Sequence, residues 1–128
     1  MNELQFAPEM LARIRARGGE FHERGYLFVL AGIEFLQSRL PSRRHVSGGE
    51  LVWCCRDFAI QQYGPMARTV LEHWGIRSTE DVGRIVFTLV EVGLLVTQSG
   101  DREEDFVGCF EFAEAFAESH VWQAEPGR

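Results

Sequence analysis

Apolar residues recur along most of this chain with the spacing of amphipathic helices, and polar or glycine-rich gaps mark where each helix stops. Met10, Leu11 and Ile14 form a stripe in a segment that opens with Pro8 and closes at Gly18-Gly19. Proline suits a first helical turn and glycine a helix end, so the spacing predicts a helix over 8–17. Arg13, Arg15 and Arg17 fall toward its end, where cations complement the helix dipole. A second helix is predicted over 22–39, where Tyr26, Leu27, Phe28, Val29, Leu30, Ile33, Phe35 and Leu36 are apolar on almost every face. Such a helix needs more than one neighbour to cover it, a second subunit included. Leu40-Pro41 breaks it, and the stretch PSRRHVSGG reads as loop.

Ser47 followed three residues later by Glu50 is a capping box, which starts a third helix at Gly48 and carries it to about Tyr63. Gly64-Pro65 ends it, and a shorter fourth helix runs from Pro65 or Met66 to about Trp74, stopped by Gly75. Ser78, with Glu80 and Asp81 behind it, caps a fifth helix that ends near Gly93. The period then changes. Leu94 to Gln98 reads as a strand, 99–105 as a polar turn, and Phe106 to Phe112 alternates with a period of two, as a second strand would. Residues 113–119 return to a helical turn or two. The chain therefore reads as one mainly α (α+β) domain over 1–128. An N-terminal helical pair occupies 1–40, and a winged-helix-like three-helix unit with a C-terminal β-hairpin occupies 48–112.

A helix-turn-helix with a wing commonly meets DNA, but the charge opposes that use. All 13 basic residues are arginine, and the formal net charge is −6. Up to Arg77 ten arginines face eight acids, a net of +2; from Ser78 onward three arginines face eleven acids, a net of −8. Nucleic-acid affinity rests largely on neutralising phosphate with Lys and Arg. The start of the fifth helix offers Arg77, Ser78, Thr79 and Arg84 to base edges or to a partner, together with Glu80 and Asp81. The loop that would form the wing, 101–105, holds four acids and one arginine.

Elsewhere the chemistry is sparse. Arg43, Arg44 and His45 precede the helix start at Ser47 and Gly48, a combination suited to a phosphate or a partner's carboxylate. The plainer reading is a solvated loop in which Ser47 is only a cap. His22, His45, His73 and His120 fall on separate elements, and Cys54-Cys55 diverge on one helix, so no metal site is expected. Glu72 and His73 have no nucleophile placed beside them, and no catalytic residue or cofactor is expected. Three cysteines make no disulfide framework, and the longest apolar run, Tyr26 to Ala31, is far short of the roughly 20 residues that span a bilayer. A reducing cytoplasm is the expected location.

The segments RRHVSG, GPMARTVLEHWGI and EDFVG, within about residues 20–117, resemble a family of short bacterial proteins of unknown function, usually labelled by the locus prefix Minf. The resemblance implies a cytoplasmic protein and supplies no activity, cofactor or catalytic residue. Gly25, Gly32 and Cys54-Cys55 stand where bulkier or more helix-favouring residues are expected. The function expected from all this is a non-enzymatic protein-interaction or regulatory module, a homodimer through helix 22–39. The alternatives are a winged helix-turn-helix DNA-binding regulator using Arg77, Thr79 and Arg84, and a small-anion binder at Arg43 to Gly48.

Overall fold

The structure is a computed structural model that describes residues 6–18, 20–98 and 100–117. Its helices are α1 (Pro8–Ala16), α2 (Glu23–Ser38), α3 (Gly48–Tyr63), α4 (Ala67–His73), α5 (Thr79–Glu91) and α6 (Phe112–Ala115). Two 3-10 turns, Gly64–Met66 and Glu103–Phe106, precede α4 and α6. The residues of the predicted tail helix beyond 117 lie outside the described residues.

Local signals account for the helix ends. Ser47 Oγ accepts from the Glu50 N–H and the Glu50 carboxylate accepts from the Ser47 N–H, at 3.1 and 2.9 Å, so the capping box is fully made. Ser78 accepts from the Asp81 N–H at 3.3 Å at the start of α5. His22 caps α2 through Nδ1, which accepts from the Arg24 N–H at 3.0 Å, a cap that histidine seldom provides.

Packing then joins the helices. One hydrophobic core runs from Ile14 of α1 through Tyr26 and Val29 of α2, Leu51 and Val52 of α3 and Ile85 and Leu89 of α5 to Phe112. The two portions distinguished in the sequence therefore share a core. In α5, Val82, Ile85, Val86 and Leu89 repeat at helical spacing and are all buried. The approach of α2 to α3 depends on Gly32, because a Cβ there would lie 3.1 Å from the Cys55 sulfur. The small residues at 32, 54 and 55, unexpected for a stable pair of isolated helices, are what lets these two lie close.

The predicted β-hairpin is absent: no strand occurs among the described residues. After α5 the chain folds back on itself. Leu94 and Leu95 donate backbone N–H groups to the Leu89 carbonyl at 2.9 and 3.3 Å, and Leu95 packs on the core. The second predicted strand is held by α5 instead of by 94–98. Thr79 Oγ1, fully buried, donates to the Phe106 carbonyl at 2.6 Å and accepts from the Cys109 N–H at 3.3 Å. Phe106 itself lies over Gly83, where a Cβ would come within 2.8 Å of its ring. The alternation read as strand pairing reflects burial of Phe106 and Phe112 with Val107 turned to solvent. Without the hairpin there is no wing. The winged-helix assignment of 48–112 is thereby corrected to a helical unit closed by an irregular strap over 94–98 and 100–111.

Candidate functional site

A cavity of about 220 Å³ opens where that strap crosses the helices. Ile33 and Gln37 of α2, Leu51 of α3 and Val86, Phe87 and Val90 of α5 form its floor and sides. Leu95, Val96, Thr97 and Phe106 close it from the strap, and Arg44, His45, Asp101, Arg102 and Asp105 stand around its edge. One hydrogen bond bridges the edge: His45 Nε2 lies 3.1 Å from Asp101 Oδ1, joining the loop before α3 to the strap. The other Asp101 oxygen accepts from the Gln98 N–H at 2.8 Å, and Asp105 accepts from the Arg102 N–H at 3.1 Å. These two carboxylates thus shape the strap from within. Val96, at the mouth, is 90% exposed, which leaves an apolar lip in water.

Of the residues expected to bind an anion, Arg44, His45, Ser47 and Gly48 line this cavity and Arg43 does not, and both arginines are already paired. Arg43 pairs with Glu34 through its two terminal guanidinium nitrogens at 3.1 Å, and Arg44 pairs with Glu50 at 2.9 Å. The Arg44 guanidinium, followed by the Ser47 N–H, holds the Glu50 carboxyl down to about 2. Arg43 likewise keeps Glu34 below the usual carboxylate range, and each arginine is raised in turn by its partner. The start of α3 is filled by its own capping box. At Gly48 an added Cβ would lie 3.1 Å from the Phe106 ring, so this glycine serves packing against the strap. His45 is engaged by Asp101. An incoming phosphate would have to compete with a carboxylate at both arginines.

The residues expected to face DNA or a partner divide. Thr79 lies beneath the strap and cannot reach a base edge. Ser78 is spent on its cap. Buried Asp81 accepts from the Arg77 N–H at 2.8 Å and from the Arg84 guanidinium at 2.6 Å, so both neighbours are organised around an acid. Only the side chains of Arg77 and Arg84 remain exposed there.

Other candidate chemistry is used structurally. Glu72 pairs with Arg68 at 2.9 Å, and the His73 ring lies 6.4 Å from the ring of His22. Burial pushes the Cys54 thiol up to about 11 and Cys55 higher still, which leaves both as unreactive core residues. Among the described residues no group of three or more His, Cys, Asp or Glu side chains is arranged to hold a metal ion, and no helix is long and apolar enough to cross a membrane.

Sequence reasoning missed the cavity. Val86, Val90 and Val96 carry no signature beyond being apolar, and the LLV run after Gly93 has the composition of a strand. Asp101 and Asp105 were legible only as members of an acidic loop. No family model, curated protein or solved structure matches this chain.

Proposed function

We propose that the chain is a non-enzymatic protein-interaction module that engages a basic partner through the face formed by α5 and the strap. One observation carries this reading: an open apolar cavity with an exposed lip at Val96 adjoins a loop in which four of five residues are acids. Apolar centres with charged surroundings are the usual anatomy of a protein interface, and the sign of the charge selects the partner and speeds its approach. Self-association through α2 belongs to the same reading. Leu27, Ala31 and Phe35 remain half-exposed along it, with Arg39 stacked 5.0 Å above the Phe35 ring. The resemblance to the Minf-labelled family adds no activity to this picture.

A photo-crosslinking residue in place of Val96, in cells expressing the chain, tests the reading. The expected result is a discrete crosslinked polypeptide that is lost when Glu103 and Glu104 are changed to Lys. Crosslinks to nucleic acid alone, or a crosslinked polypeptide indifferent to the charge reversal, would sink it.

A further inference from the structure

The cavity and its surroundings together specify an occupant. At about 220 Å³ it is smaller than the roughly 300–1,000 Å³ of sites that enclose whole small-molecule ligands. An apolar cavity of roughly 150 Å³ already holds a benzene ring, so a single aromatic or large aliphatic side chain is the unit that fits. Next to the mouth, the backbones of Val96 and Thr97 make no hydrogen bond to another described residue, whereas Leu95 and Gln98 on either side do. An extended segment arriving there meets free N–H and C=O groups, the situation exploited in strand addition. Charge then selects among segments. Glu103 and Glu104 outnumber Arg102, Asp101 and Asp105 are engaged by His45 and by backbone N–H groups of the strap, and the nearest other arginine, Arg44, is matched by Glu50. Glu103 and Glu104 are exposed and have no ion pair among the described residues.

We infer that this cavity is the anchor pocket for a basic linear segment of a partner protein. One large apolar side chain fills it, the segment's backbone lies along Val96 and Thr97, and flanking Lys or Arg residues face Glu103 and Glu104. The inference rests on the interaction reading above and adds to it the kind of peptide that binds.

The probe is a capped pentapeptide, Arg-Arg-Leu-Arg-Arg, titrated into isotope-labelled protein while backbone amide signals are followed. The signals of Val86, Val90, Val96 and Thr97 are expected to move together. Replacing the peptide's Leu with Ala weakens binding at least about tenfold, equivalent to about 1.4 kcal/mol. Replacing its arginines with glutamates abolishes binding. In the chain, Val90→Phe fills the cavity and blocks the Leu peptide; E103K/E104K leaves the core untouched and weakens binding severalfold, most at low salt. Equal affinity for the Leu and Ala peptides, signals that move only elsewhere, or no change at millimolar peptide would overturn the inference. So would a single capped leucine binding as tightly as the pentapeptide, which would make the pocket a small-molecule site. If the peptides fail while the crosslinked partner is still lost from the E103K/E104K chain, the anchor pocket falls and the interaction reading stands.

Discussion

Thr79→Val replaces one hydroxyl by a methyl group at the residue that holds the strap to α5. Thr79 Oγ1 donates to the Phe106 carbonyl at 2.6 Å and accepts from the Cys109 N–H at 3.3 Å, and the side chain is fully buried. Valine keeps the shape and removes both bonds. A buried polar group left without a partner costs about 1–3 kcal/mol. The Phe106 carbonyl carries that full cost, while half-buried Cys109 recovers part of its share from water, so the expected loss is about 2–4 kcal/mol. With an unfolding entropy of about 2.1 cal/mol/K per residue, a chain of 128 residues loses about 4 °C of Tm per kcal/mol, giving a fall of roughly 8–16 °C. Thr79→Ser is the control, because it keeps the hydroxyl and removes one methyl at a cost of about 1 kcal/mol. Thermal and urea unfolding followed by circular dichroism measure both variants, with the urea slope expected to stay unchanged. A Val variant within about 0.5 kcal/mol of the parent, or no less stable than the Ser variant, would refute the account of how the strap is held.

Three further outcomes are expected. Gly83→Ala lowers Tm although alanine is the better helix former by about 1 kcal/mol, because its Cβ would meet buried Phe106 at 2.8 Å. Gly49→Ala, with nothing nearer than 3.9 Å, leaves Tm unchanged or raised, and the opposite order of the two variants would show that Phe106 does not sit over Gly83. The folded-state pKa of Glu50 is depressed, so the stability it contributes is present above the ordinary carboxylate pKa of 4.5 and is lost as pH falls toward about 2. The stability gap between the parent and Glu50→Gln should therefore close over that window in acid unfolding series, and a constant gap would remove the Arg44 and Ser47 contacts as its cause. Sedimentation should report a dimer that Leu27→Glu dissociates, and a monomer at every concentration removes self-association through α2.

How far the sequence could be read depended on the range of the interactions involved. The helix starts at Gly48 and Thr79 were legible because their caps link residues three apart, Ser47 with Glu50 and Ser78 with Asp81. Helix ends at Gly64 and Gly75 were legible for the same reason, since both glycines adopt positive φ angles that other residues avoid. The acidic character of the second half is a property of composition and needed no fold. Four to six residues of local pattern are enough for each helix start and end.

Tertiary contacts decided the rest. The period of two over 106–112 is common to a strand and to a strap that buries Phe106 and Phe112 in turn, and only a partner for the backbone separates the two. That partner is the Thr79 hydroxyl, 27 residues from Phe106, rather than a second strand. The arginines before α3 looked free for an anion because their carboxylate partners lie on the helices to either side: Glu34 of α2, nine residues before Arg43, and Glu50 of α3, six residues after Arg44. The cavity joins α2, α3, α5 and the strap, so its lining exists only once those elements pack. By itself the sequence determined which segments are helices and where the charge lies. The structure decided that the chain after α5 closes over the core, and so which apolar residues remain open to a partner.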